Sequence, residues 1–398
     1  MDREKRPSWL SANVLLLSLS SLFGDISTEM LYPILPVFLT QVLGADGSIV
    51  GLVDGLAQAT QNVIQGLSGS LSDRLQRAKP IALAGFLLAA LAKPLIGLAT
   101  LWPEVLGARL LDRVGVGTRS APRDALIAGS VSAADRGKAF GLEGFGDNFG
   151  AFLGPLIAVL LLGILHLDMR EVFYLAVIPG LLAVLVVSLV REPKATTIAK
   201  ARLDASWRQL PPRYWRYLGA IALFGLGNSS NAFLILATQR AGASIENTVL
   251  IYAGFNLVAA LASYPAGLLS DRLGRRNLLL AAFVVFFLSY AGFAATSSLV
   301  VIAVLFIGYG LFQGTFRAVG KALAADLVPD HLRASGIGWY TGLVGLLQLF
   351  ASVVGGLLWD RVGHQATFVY GALFAAVGAV ALAALVQGDR PRNPHSPV

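Results

Sequence analysis

The chain contains no cysteine among its 398 residues. It therefore has neither a disulfide framework nor a thiolate metal site. Charge is scarce. Only 14% of residues are Asp, Glu, Lys or Arg, where a soluble domain carries about a quarter. Imidazole and thioether groups are scarce as well, with four histidines and three methionines. His166, His331, His364 and His395 fall in predicted loops or the tail, and Met30 alone lies well inside an apolar run. A transition-metal carrier needs soft or imidazole ligands, so no metal site is expected. No Gly-rich phosphate loop before Lys-Ser/Thr occurs, and no His-Glu-x-x-His. The sequence thus supports neither ATP drive nor an enzyme, and no cofactor is expected beyond an ion gradient, most simply of protons.

Apolar residues are abundant, at 56%, and they come in long runs. About 20 helical residues cross the hydrocarbon core of a bilayer. Twelve such runs are predicted, at 12–40, 48–70, 79–101, 104–128, 137–165, 171–190, 214–238, 246–270, 277–299, 300–327, 334–358 and 366–387. The fold class expected is therefore an all-α integral membrane protein with twelve transmembrane helices. The first run is too long and too polar for a cleaved signal peptide. The net charge of +8 could point to nucleic acid, but its distribution argues for a membrane. Only Arg170, Arg240 and Arg361 fall in one set of loops, and most of the remaining Lys and Arg fall in the other set. This positive-inside bias places both termini in the cytoplasm.

A polar, basic stretch at 191–213 separates six runs (1–190) from six more (214–398). The halves echo one another. "GSLSDRLQRA" begins at Gly69 and "GLLSDRLGRR" at Gly267; "RGKAFG" at 136 answers "RASGIG" at 333; Gly117 answers Gly314; "LFG" stands at 22 and again at 223. Repeated halves of parallel orientation are a transporter architecture, with the site between them and rocking of the halves giving alternating access.

The charged turn resembles the loop motif of the major facilitator superfamily, Gly-x-x-x-Asp-Arg-x-Gly-Arg-Lys/Arg, and the resemblance covers essentially the whole chain. The second copy matches with Gly267, Asp271, Arg272, Gly274, Arg275 and Arg276; the first keeps Gly69, Asp73, Arg74 and Arg77 and departs at Gln76 and Ala78. The resemblance implies a conformational latch formed by these residues, joined by Arg123 and Asp124 at the end of the fourth run. An Asp there can accept from a helix N-terminus, and a Gly lets two helices approach closely. In the fifth run Gly141, Gly150, Gly154 and Pro155 resemble the helix-five motif of the superfamily's antiporters, many of them drug exporters, although Ala158-Val159 stands where the pattern ends in a Gly pair. Ordinary small-residue packing is the other reading of these glycines.

A charge at the bilayer centre costs about 2.5–3.5 kcal/mol even on lenient scales, yet the first half carries many. Asp25 and Glu29 share a helix face in the first run. Such a pair suits proton uptake and release, with Glu29 slightly ahead. Arg109, Asp112, Arg113, Arg119, Arg123 and Asp124 fall within an arc of roughly 140° on the fourth run. By depth, Arg113 is expected near Asp25 or Glu29, and Arg119 near Asp147 of the fifth run, which also carries Glu143. "ARLLDRVGVG" resembles the family's fourth-helix motif, whose Arg is tied to proton coupling; Arg113 is preferred for that role. Lys93 has two readings, an ion pair or a snorkelling chain.

Asp54, Gln58, Gln61, Asn62 and Gln65 form a polar stripe on the second run, as expected for a cavity or a seam. In the second half Gln313, Arg317 and Lys321 share a face, and Asn228, Asn231, Tyr252, Asn256, Trp339, Tyr340 and Gln348 are the neutral candidates for ligand contact. The expectation is a monomeric carrier in the inner membrane, with the bilayer and a small organic substrate as partners and no nucleic acid. Proton-coupled export leads, with organic-anion uptake or exchange, and a non-transporting sensor, as alternatives.

Overall fold

The computed structural model describes residues 10–75, 77–132, 135–192, 209–329 and 332–386. Among them are the α-helices α1 (Ala12–Glu29), α2 (Leu35–Val37), α3 (Gly47–Leu75), α4 (Ala78–Leu98), α5 (Trp102–Gly129), α6 (Arg136–Val159), α7 (Met169–Leu175) and α8 (Val177–Ser188). There follow α9 (Pro212–Gly225), α10 (Ala232–Arg240), α11 (Ile245–Leu273), α12 (Arg275–Ala295), α13 (Leu299–Asp326), α14 (Arg333–Arg361) and α15 (His364–Leu385).

Eight segments among the described residues are long and apolar enough to cross a membrane: α4, α6 with its π-helical extension, α7 and α8 taken together, and α11 to α15. The other predicted runs fall short for visible reasons. The first is interrupted after Glu29 by turns through Ile34, where Pro33 has no N–H to continue the ladder. Pro36 then starts α2. The run at 214–238 unwinds between Gly225 and Ala232. α5 stays helical but carries the ionic face.

The chain divides into two compact units, residues 1–38 with 60–201 and residues 39–59 with 202–398. The start of α3 thus groups with the second unit. There the Asp360 carboxylate caps α3, accepting from the backbone N–H of Gly47 and of Ser48 at 2.8 Å each.

Within each unit the same pairings recur. In the first, α4 packs on α5, and α1 packs on α6 and α8; in the second, α12 packs on α13, and α9 packs on α14 and α15. Helix lengths repeat as well. α3 and α11 have 29 residues each, α4 and α12 have 21, and α5 and α13 have 28. The matched glycines make matched contacts. A Cβ on Gly117 would meet the Gln61 carbonyl on α3 at 2.7 Å, and one on Gly314 would strike the Ala259 carbonyl on α11. Only a residue without a side chain lets backbones approach so closely.

Interiors differ between the units. Phe224 stacks on Phe283 at 4.0 Å, and Phe286 on Tyr290 at 4.0 Å, within a continuous set of rings from α9, α12, α13 and α15. The first unit has a smaller apolar core, around Val14, Leu17, Ala82 and Leu126, and encloses charges. Outward faces are apolar, as at Leu261 (66% exposed) and Val300 (75%), which suits a lipid surround.

Candidate functional site

The ionic face of α5 organises the first unit. Asp112 is its deepest charge, with 1% of its side chain exposed. It accepts from Lys93 Nζ of α4 at 3.1 Å, from Arg109 Nη1 at 3.0 Å and from Arg113 Nε at 3.0 Å. The ion-pair reading of Lys93 is therefore the one the structure supports. Lys93 also donates to the Ala89 carbonyl at 3.0 Å, and Arg113 Nη1 donates to Gln61 Oε1 at 2.9 Å. Buried charges persist only when paired and hydrogen-bonded, and this cluster meets that condition around a single carboxylate.

Further along α5 the balance reverses. Arg119 Nη2 donates to Asp25 Oδ1 at 3.0 Å, and its guanidinium lies over the Phe86 ring at 4.4 Å. Arg123 lies 2.8 Å from Glu143, 3.1 Å from Asp124 and 3.8 Å from Asp147, and donates to Ser21 Oγ at 2.9 Å. Ser21 in turn donates to Glu143 at 2.9 Å. Asp25 is also within hydrogen-bond reach of Asp147. Four carboxyl groups thus gather around two guanidiniums.

Two expected pairings need correction. Arg119 holds Asp25 rather than Asp147, and Arg113 turns to Asp112 and Gln61 while Asp25 goes to Arg119. Depth along ideal helices misjudged the register of α1 on α6. That register is set by Gly146, Gly150 and Gly154, whose Cβ positions would meet the Ser18 carbonyl (2.6 Å), the Leu22 carbonyl (2.5 Å) and the Ile26 carbonyl (2.9 Å). Gly150 also faces the Asp25 Cβ at 3.1 Å, and Gly154 the Glu29 Cβ at 3.0 Å. Sequence reasoning missed Gly146, although its four-residue spacing from Gly150 was readable. Gly141 has nothing within 4 Å among the described residues. Pro155 is buried inside α6.

Of the proposed latch, the side chains of Asp73, Arg74 and Asp271 lie outside the described part of the structure. Arg77 and Arg272 are exposed. Gly69 approaches the Ala121 Cβ at 3.2 Å, but Gly267 has nothing within 4 Å among the described residues, so the close approach expected there is absent. Gly274 adopts φ +88°, a conformation L side chains resist. Arg275 pairs with Asp326 at 2.8 Å. Arg123 and Asp124, expected at the latch, pair with each other inside the bundle. The turn shows a role the sequence reading missed: Lys79 donates to the Ser188 carbonyl at 2.7 Å, and Arg276 to the carbonyls of Leu382 and Ala383. Each tethers the end of its unit's last helix.

The substrate candidates scatter. Ser230 donates to Asp54 at 2.5 Å, and Tyr309 to Asn231 at 2.7 Å. Tyr252 and Tyr340 are 4% and 3% exposed and pack against Phe255 and Tyr217. Trp339 is exposed against Trp215, and Arg317 is exposed; Gln58, Asn228, Asn256, Gln313 and Gln348 are half-buried. Among the described residues no cluster of metal ligands forms.

Comparisons with known proteins bear on the whole chain. Residues 17–244 and 217–398 each match the profile of the Major Facilitator Superfamily. An uncharacterized MFS-type transporter of Methanocaldococcus jannaschii is 33% identical over 387 residues, covering 96% of this chain and 95% of that protein. A probable 4-methylmuconolactone transporter of Cupriavidus pinatubonensis is 28% identical, over 82% and 78% of the two chains. Among solved structures, the nucleoside transporter NupG superposes with a TM-score of 0.81 at 15% identity, over 94% of this chain and 100% of that one. That likeness is one of fold.

Proposed function

The chain belongs to the Major Facilitator Superfamily, and from that premise we propose that this multi-pass secondary transporter exports a small organic molecule in exchange for protons. In this reading it forms twelve spans in two bundles, 1–190 and 214–398, joined by the linker 191–213. It lies in the cytoplasmic membrane with both termini inside and works as a monomer by alternating access.

One observation carries the proton role: Asp25 stands between a guanidinium and a second carboxyl, with Arg119 at 3.0 Å and Asp147 within hydrogen-bond reach. Two carboxyl groups this close can pass one proton between them. Deprotonated, Asp25 is held by Arg119; protonated, it releases that hold and donates toward Asp147. Arg123 keeps Glu143 and Asp147 in place from the other side. Such an exchange of partners is a local electrostatic change able to bias a two-state carrier. The sequence favoured Glu29 slightly; this geometry favours Asp25. The helix-five glycines support export by resemblance, and the named cargo of the Cupriavidus relative supports a small organic substrate.

The test uses purified protein in liposomes with a pH dye inside, screened against organic cations, neutral drugs and organic anions. A substrate-dependent proton flux that is lost in Asp25→Asn is the expected result, and its sign separates antiport from symport. Radiolabelled counterflow without proton flux for any compound would remove the proton role.

A further inference from the structure

Within the first unit, away from the carboxyl-rich end of α5, a small enclosed space is lined by Gly24, Ser27, Thr28, Phe86, Lys93 and Arg119, among other residues. The polar atoms around it are unusual. Arg119 is 4% exposed, and its Nε and Nη1 have no hydrogen-bond partner among the described residues; the same is true of Thr28 Oγ1, on a residue 7% exposed. Lys93, 2% exposed, spends two of its three N–H bonds on Ala89 and Asp112. Ser27 donates its hydroxyl hydrogen to the Ala176 carbonyl at 2.5 Å. Buried donors left unmade cost about 1–3 kcal/mol each, more when charged, so this many facing one space call for an occupant.

We propose that this space is a binding site for a single small inorganic anion, a halide such as chloride, held between Arg119 and Lys93 and capped by the Thr28 hydroxyl. Neither Asp25 nor Asp112 lines the space; each carboxylate engages its cation from outside it. The lining is rich in donors and in positive charge. A water molecule would bring two hydrogens that need acceptors, whereas an anion accepts from every free donor. The space has room for one atom of this size. Gly24 is part of the construction: a Cβ there would strike the Arg119 guanidinium, so only glycine leaves the cation free to face the site. Phe86 covers one face of that guanidinium at 4.4 Å, which turns its donor edge toward the space. The site stands apart from the transport reading, since it concerns occupancy and not flux.

The experiment uses the full chain purified in sodium gluconate. Chloride, bromide and sulfate are titrated at constant ionic strength while the unfolding temperature is followed. Anything that binds the folded state alone raises that temperature with saturation. Chloride and bromide are expected to do so, and sulfate, too large for the space, is not. Thr28→Val keeps the shape and removes one donor, and should weaken halide affinity roughly tenfold or more. A diffraction experiment on crystals grown in bromide supplies a readout free of variants: an anomalous peak between Arg119 and Lys93 supports the site. Water density there without an anomalous peak overturns it, as does a halide response identical in sulfate or unchanged in Thr28→Val.

Discussion

Lys93 and Asp112, on α4 and α5, occupy the places that Tyr290 and Tyr309 hold on α12 and α13, 197 residues further on. Arg119 and Phe86 likewise answer to Phe316 and Phe283. In one unit the first pair is an ion pair at 3.1 Å; in the other it is two rings 6.0 Å apart. The second pair is a guanidinium over a ring at 4.4 Å in one unit and two rings 6.1 Å apart in the other. The same helix pairing therefore tolerates two unlike interiors. What the halves share is the set of glycine contacts and helix lengths, and these fix the fold. What they do not share is what a proton or an anion can act upon. Ring packing is apolar and has no charge state to change, whereas the ionic core does. The division assigns switching to the first unit and stiffness to the second.

The largest expected effect tests that division at its deepest charge. Asp112→Asn leaves Lys93, Arg109 and Arg113 around a neutral amide. Removing one partner of a buried ion pair costs about 3–5 kcal/mol, so the unfolding temperature in detergent should fall sharply. At the equivalent position Tyr309→Phe keeps the ring and loses a hydrogen bond to Asn231, worth about 1 kcal/mol. Adding Lys93→Met to Asp112→Asn should recover part of the loss, because groups in one network are not additive. Equal costs for Asp112→Asn and Tyr309→Phe would break the comparison.

A middle-sized effect tests what the halves have in common. Gly117→Val and Gly314→Val each push a branched side chain against a carbonyl of the neighbouring helix. Overpacking of this kind costs about 1–3 kcal/mol. The two variants should lose stability by similar amounts despite their unlike surroundings, as read by the same thermal unfolding. A large loss in one and none in the other would mean that the repeat is only a likeness of sequence.

Much of this was legible beforehand. The two halves, the helical runs, the ionic face of α5 and the Gly117/Gly314 equivalence follow from spacing alone. Which acid meets which base did not. Asp25 reaches Arg119 because Gly146, Gly150 and Gly154 set the register of α1 on α6, and register between helices is a property of packing that hydropathy does not encode. The breaks after Glu29 and Gly225 were half legible: Pro33 announced the first, whereas the unwinding through "LGNSSN" had no proline to mark it. Nor could the sequence tell that Tyr252 and Tyr340 join the ring packing, since an aromatic residue on a polar face reads equally as a ligand contact.

The smallest expected effect concerns the charged turns, where the halves differ at the surface. Arg275 pairs with Asp326 at 2.8 Å, with side chains 24% and 40% exposed. At the matching places of the first unit stand Ala78 and Gly129, which cannot form such a pair. An exposed ion pair contributes about 0–1 kcal/mol and is screened by salt. Arg275→Gln should therefore change the unfolding temperature little, and less still in high salt. Arg276→Met should cost more than Arg275→Gln, because it frees two carbonyls at the end of α15, and Lys79→Met should have a parallel effect at the end of α8. If Arg275→Gln proved the costlier of the two second-unit variants, the turn would owe its stability to the ion pair and not to the helix-end tethers that both halves share.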